Sequence, residues 1–171
     1  MKKILLAASM ALIVLASCKK DDDDNDINST DQTFLTQVAI GNKAEIMAGQ
    51  LASTKGSNAG VKEFGTMMVT EHTQAQTELQ SVFSSVGMTM PDSVDAEHQA
   101  LMTRLNSLTG FAFDTAYINS QVKDHQKTLA VFQSEVSAGK NDNVRNYANK
   151  YLPHIQMHLQ KADSLSTALH P

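Results

Sequence analysis

An all-α, ferritin-like four-helix bundle is the fold class this sequence predicts, with a short extra helix in the crossover between the second and third long helices. Three observations predict it. Only 8 Gly and 3 Pro occur among 171 residues, too few for the many turns of a β-sandwich. Apolar residues recur at alternating spacings of three and four along four long segments, as on a helix with one buried face. The first and second segments, and the third and fourth, are joined by a few residues each, whereas a long connection separates the second from the third. One such crossover is the connectivity of ferritin-like bundles, as distinct from simple up-down-up-down bundles.

The chain opens with Lys2 and Lys3, followed by an apolar run from Ile4 to Leu15 broken only by Ser9. That run is too short to span a bilayer, which takes about 20 residues, and reads as a processing signal. It ends in Leu15-Ala16-Ser17-Cys18. This resembles the lipobox of bacterial lipoproteins, where the signal peptidase cuts before the cysteine and the thiol receives a diacylglycerol. The resemblance implies a signal peptide over 1–17, lipid on Cys18, and a cell-envelope location as an outer membrane lipoprotein, on the periplasmic face or the cell surface. Acyl chains contribute about 0.8 kcal/mol per buried methylene, so a membrane partner is held without a spanning helix. The competing reading is an ordinary secretory signal with a stray cysteine. Cys18 is the lone cysteine, which excludes an intrachain disulfide and cysteine-based zinc clusters.

Residues 19–31 hold six Asp against two Lys. Like charges repel, so 18–31 reads as a solvated, disordered tether. An acid-rich stretch just after the lipid-bearing cysteine also resembles the surface-export signals of some Gram-negative lipoproteins. The overall charge of −4 argues against a nucleic-acid partner, which needs a basic footprint.

The helical domain is expected over 32–171. The first long helix spans 32–55, with Asp31 as its N-cap and Gly56 beyond its end. The second spans 58–86, started by Ser57 or Asn58. Gly87 to Asp92, with Pro91, interrupts the pattern; the short crossover helix follows near 93–108. Thr109-Gly110 precedes the third long helix, 113–138. Ala138 to Asp142 forms the last break before the fourth, 142–169. Pro153 falls inside that helix, where the missing N–H and the ring's clash one turn back predict a kink. A separate helix beginning at Pro153 is the alternative, disfavoured because apolar periodicity runs through it unchanged.

Each long helix carries one strongly polar residue on its apolar stripe. Glu45 follows Val38 and Gly41 and precedes Ala48. His72 follows Phe64 and Met68 and precedes Ala75 and Leu79. His125 follows Ile118 and Val122 and precedes Leu129 and Phe132. His158 follows Tyr151 and Ile155 and precedes Ala162 and Leu165. All four lie near the middles of their helices. Midpoints of antiparallel helices of similar length share one level, so the four should meet in a central layer. Burying them is costly unless they satisfy one another or bind something. Three imidazoles and a carboxylate suit a single zinc, iron, copper or manganese ion. A hydrogen-bonded network fixing register is the competing reading; a third is that the register is off and the residues face solvent.

Several neighbours are candidates beside this layer. His154, one turn before His158, has the spacing of an additional ligand, or it sits half-exposed near Pro153. Glu71 and Asp124 each precede a layer histidine and point about 100° away from it, so at the helix–helix boundary each either orients a ligand or is a solvated charge. Tyr117, one turn into the third helix, reads as structural by default, and is a candidate for placing its hydroxyl near an inner polar group. His98 reads as structural, and His170 as part of a frayed end.

A recurrent set of residues completes the reading: Thr33-Phe34, Ala44-Glu45, Val61-Lys62, Met68-Val69-Thr70-Glu71-His72, Gly110-Phe111-Ala112-Phe113-Asp114-Thr115-Ala116-Tyr117, Asp124-His125, Leu152-Pro153 and His158-Leu159. The set resembles the bacterial family known as domain of unknown function 4142. That resemblance implies a ferritin-like bundle over about 31–169 and an envelope location, with no established reaction. The Glu-x-x-His pairs of di-iron ferritin-like proteins are absent. Val69, Val122 and Ile155 stand three before the histidines, so oxidase or iron-storage chemistry does not carry over. Nucleophile motifs and Gly-rich phosphate loops are also absent, so no catalytic residue is assigned and an enzyme ranks last. The expectation is a lipid-anchored envelope protein of unestablished biochemical role binding one transition metal. The alternative is a non-catalytic structural or interaction lipoprotein displaying the bundle to an envelope protein partner.

Overall fold

The computed structural model describes residues 26–169. Residues 1–17, Cys18, most of the tether and His170 lie outside the described residues. The described residues form five helices: α1 (Ser29–Lys55), α2 (Ala59–Ser85), α3 (Ala96–Ser107), α4 (Gly110–Ala138) and α5 (Asp142–Leu169). Four are long and pack as the bundle, and α3 is the short helix in the crossover.

The helix ends follow from identifiable caps. α1 begins ahead of the expected Asp31 start because Asn28, not Asp31, is its N-cap. Asn28 Oδ1 accepts the Asp31 N–H at 2.9 Å, and Asp31 Oδ2 accepts the Asn28 N–H at 2.7 Å. This is a reciprocal capping box. Asn58 Oδ1 caps α2 by accepting the Gly60 N–H at 2.8 Å, and Asp95 caps α3 through the His98 N–H at 2.9 Å. Asn141 Oδ1 accepts the Asn143 N–H at 3.0 Å and so opens α5. α4 starts at Gly110, whose φ of 58° suits glycine at the entrance to the helix. α5 is continuous through Pro153, which removes the alternative of a separate helix starting there.

Two buried aspartates tie the hairpins together. Asp31, at the start of α1, accepts the Lys140 N–H at 3.0 Å and the Asn141 N–H at 3.1 Å from the α4–α5 turn. Asp114, near the start of α4, accepts the Ser57 N–H at 3.0 Å and the Asn58 N–H at 2.8 Å from the α1–α2 turn. Each hairpin's turn is therefore held by a carboxylate from the other hairpin. These contacts also set direction. α4 starts at the end where α1 finishes, so α4 runs antiparallel to α1 and parallel to α2. α3 carries the chain back along the length of the bundle, and Lys55 Nζ donates to the Leu105 and Asn106 carbonyls where α3 ends.

The core consists of two apolar clusters. Phe34, Leu35, Leu79, Phe83, Phe132, Val144 and Ile155 build one. Phe64, Met68, Leu105, Phe113, Tyr117, Ile118 and Ala162 build the other. His72 falls between Met68 and Ala75, and His158 between Ile155 and Ala162, so the boundary between the clusters is the polar layer. α1 and α2 approach most closely below it. A Cβ on Gly65 would lie 2.7 Å from Ala52 Cβ and 2.8 Å from the Gly49 carbonyl oxygen. Only glycine permits that contact.

Gly65→Ala should therefore lower stability by about 1–3 kcal/mol through overpacking. Gly41→Ala, whose added methyl meets nothing within 4 Å, should be neutral or stabilising by about 0.5–1 kcal/mol. Urea denaturation of the two variants checks the contrast.

A pH dependence follows from the carboxyl pair under the α4–α5 turn. Burial, and then the hydrogen bond and charge of Asp31, push the Glu135 carboxyl up to about 8. Burial alone would raise Asp31, but the Asn28, Asn141 and Lys140 N–H groups and Glu135 hold it below the ordinary range. Glu135 is thus the protonated partner. Its folded affinity for a proton exceeds the unfolded one, so its stabilisation is complete below the ordinary carboxyl range and is lost as pH rises toward about 8. Glu135→Gln keeps a donor to Asp31 without the titration. Its denaturation midpoint should vary less than wild type's between pH 5 and 8.

Candidate metal centre

His72, His125 and His158 come together from α2, α4 and α5 in one layer of the core. Ring centroids are 5.9 Å apart for His72–His125 and 5.3 Å for each of the other two pairs. One ring nitrogen from each histidine lies within 4.8 Å of one from each of the others. The residues are 5%, 1% and 1% exposed, so water does not satisfy the rings.

The hydrogen bonds around the layer determine which nitrogen of each ring keeps its lone pair. Tyr147 donates its hydroxyl to the Ala75 carbonyl at 3.1 Å. That hydroxyl accepts from Asn42 Nδ2 at 3.3 Å. Asn42 Oδ1 therefore faces His72 and accepts from Nδ1 at 2.9 Å. His125 Nδ1 donates to the Gln121 backbone carbonyl at 3.0 Å. His158 Nε2 donates to Glu71 Oε2 at 3.0 Å. Every outer partner is an acceptor, so every outer nitrogen carries the proton. The nitrogens left over, His72 Nε2, His125 Nε2 and His158 Nδ1, are buried with no hydrogen-bond partner among the described residues. Acceptor-held imidazoles presenting free lone pairs inward are the arrangement in which protein metal ligands are oriented.

Electrostatics keeps the rings neutral. Burial, then the neighbouring imidazoles, hold His72 well below the ordinary histidine range. Burial lowers His125 to about 4, against the Gln121 carbonyl. Burial and the charge of His125 lower His158 to about 4, against Glu71. Neutral imidazole is the ligand form.

Glu45 adjoins the three histidines without joining their nitrogen cluster. Its Oε1 lies 3.8 Å from His125 Nδ1, the outer nitrogen, and its Oε2 accepts from Gln121 Nε2 at 2.7 Å. Burial raises the carboxyl to about 7 despite that bond. Glu71 bridges the histidines of α5, accepting from His158 Nε2 and His154 Nδ1 at 3.0 Å each. His154 is thereby directed to Glu71 at the half-exposed edge and stays out of the cluster. Asp124 is half-buried and forms no hydrogen bond to the three rings. It lines a cavity of about 250 Å³ that also reaches Glu45, His72 and His125. Tyr117 is fully buried and stacked on Phe113. Burial, then the charge of Glu45, raise its hydroxyl well above the ordinary range. His98 is held by Asp95 at 2.7 Å at the start of α3.

Asn42 and Gln121 orient the layer and are absent from the reading of the apolar stripes. The signal was present. Gln121 stands four before His125, and Asn42 three before Glu45, so each is a polar residue one turn from a layer residue on the same side of its helix.

Comparison with known proteins places the chain. No curated protein matches it. A crystal structure of a DUF305 fragment from Deinococcus radiodurans superimposes with a TM-score of 0.73 at 9% sequence identity, covering 83% of this chain and 98% of that one. At that identity the likeness is one of fold, a helical bundle. The model of the family described as "Domain of unknown function (DUF4142)" matches residues 16–165. The match spans most of the sequence and includes all three layer histidines, and the chain belongs to this family.

Proposed function

We propose that this protein is a lipid-anchored envelope protein whose helical domain binds one transition-metal ion through His72, His125 and His158. One observation carries the metal reading: three buried lone pairs from three helices converge with nothing to accept. They cannot satisfy one another, since all are acceptors. A single water donates two protons and would leave one nitrogen unpaired. Each buried, unsatisfied group costs about 1–3 kcal/mol. A cation satisfies all three, with each N–H already anchored outside. A hydrogen-bonded core network, the competing structural reading, would instead pair these nitrogens.

The donor set narrows the metal. Three neutral imidazoles suit zinc, copper or iron better than manganese, which prefers oxygen ligands. Zinc–nitrogen bonds of about 2.0–2.1 Å ask the rings to draw inward slightly on binding. Glu45 then acts from outside, against the outer nitrogen of His125, and Glu71 does the same for His158.

The anchor rests on the sequence: Lys2-Lys3, the apolar run and Leu15-Ala16-Ser17-Cys18. Among the described residues no helix is long and apolar enough to cross a membrane, so the lipid is the proposed attachment. Cys18→Ala should abolish lipid labelling and move the protein out of the membrane fraction. Lipid attachment that persists in this variant refutes the anchor.

Elemental analysis of the purified protein should find one metal per chain. Zinc at a hundredfold excess over Kd should raise stability by about 2.7 kcal/mol, read as a rise in Tm of several degrees. No stoichiometric metal, and a Tm indifferent to zinc, copper and iron, would sink the metal reading.

The metal-free protein offers a separate check. His125→Leu removes an unpartnered lone pair and should change apo stability by no more than about 1 kcal/mol. His72→Leu strands Asn42 Oδ1 and should cost about 1–3 kcal/mol. Both should abolish the metal-induced rise in Tm.

A further inference from the structure

We infer that the metal ion reaches the three histidines through an acid-lined cavity between α1 and α4, beneath the start of α3, and that Asp124 draws cations along it. The inference rests on the metal-binding reading and adds the way in. With the layer histidines at most 5% exposed, an ion needs either a channel or an opening of the bundle. The cavity of about 250 Å³ leads to the layer, because His72 and His125, with Asn42 and Glu45 beside their outer nitrogens, form part of its wall; the last step to the inner nitrogens passes between the rings. Among the described residues, the side of the layer lined by Phe132, Tyr147 and Tyr151 holds a void of about 10 Å³, far smaller than this cavity.

The charges along the channel are graded. At its mouth Asp95 pairs with His98 at 2.7 Å. Glu97 pairs with Lys123 at 2.9 Å and with Lys127 at 3.0 Å. These carboxylates are already matched. Farther in, Asp124 is half-buried with no hydrogen bond or ion pair among the described residues. Deeper still, Glu45 keeps Oε1 near His125 while Gln121 holds Oε2. A cation entering the mouth therefore meets its unmatched carboxylate at Asp124, with Glu45 Oε1 as a further oxygen between there and the imidazoles. The second, independent sign of a cation is the pair of buried, unpartnered nitrogens, His72 Nε2 and His125 Nε2, on side chains in the same wall. Low-dielectric walls strengthen attraction along such a path.

Gly41 gives a way to close the channel without touching a ligand. It lies in the cavity wall, and a Cβ there meets no atom within 4 Å. Its side-chain position is open space, not packed core. The test measures uptake of cobalt(II) by stopped-flow absorbance, and its removal by excess EDTA, in the purified full-length chain. Gly41→Leu should slow uptake and removal by the same factor, about tenfold or more, because one barrier serves both directions. Its Kd should stay within about threefold of wild type. Asp124→Asn should slow uptake about threefold and flatten its dependence on ionic strength. Gly41→Ala, which leaves the channel open, should match wild type and shows that position 41 tolerates a side chain. Wild-type uptake rates in both Gly41→Leu and Asp124→Asn would overturn the route while leaving the metal site standing. Cobalt that fails to bind wild type at all would overturn the metal reading itself, and the route with it.

Discussion

Three imidazole lone pairs buried at one height of a four-helix bundle are the constraint around which the rest of this molecule is arranged. An apolar layer would satisfy itself by packing. This layer must be satisfied by geometry, and each ring is held by a different device: a side-chain amide for His72, a backbone carbonyl for His125 and a carboxylate for His158. The amide is in turn fixed by Tyr147 and the Ala75 carbonyl. The rings are thus fixed from outside, and the inner nitrogens are committed to whatever occupies the centre. Preorganisation of this kind lowers the cost of binding.

Holding three helices in register at one level demands that the bundle ends be fixed as well. Asp31 and Asp114 do this. Each is a buried carboxylate at the start of a helix, and each accepts backbone N–H groups from the turn of the other hairpin. The two hairpins clamp each other at opposite ends of the bundle, with the histidine layer between. Apolar clusters on either side of the layer supply most of the burial. The polar layer interrupts them at only one level, so its desolvation cost is confined there.

The likeness to the Deinococcus radiodurans fragment at 9% identity fits this division of labour. A helical bundle needs only periodic apolar faces and short connections, which many sequences meet. The layer asks for particular residues at particular turns. Fold and site are therefore separable, and the chemistry proposed for this chain rests on its own histidines and their partners.

Much of the architecture was legible in the residues themselves. Helix periodicity, sparse glycine and proline, and one long connection specify a crossover bundle because burial of an apolar stripe leaves few other solutions. The mid-helix positions of His72, His125 and His158 already implied a common level, since antiparallel helices of equal length share their midpoints. Spacing along one helix, however, says nothing about which way a side chain turns once neighbours are packed against it. Only the tertiary structure decided that Glu45 bonds Gln121 and stands beside His125, that His154 turns to Glu71, and that Asp31 braces a distant turn while serving its own helix from the third position of the capping box and not as its N-cap. It alone decided which nitrogen of each histidine is free, because a tautomer is set by a partner more than 25 residues away or by a carbonyl one turn back, as at His72 and His125. Sequence determines what each helix brings to the layer; the packing of four helices determines what each residue does there.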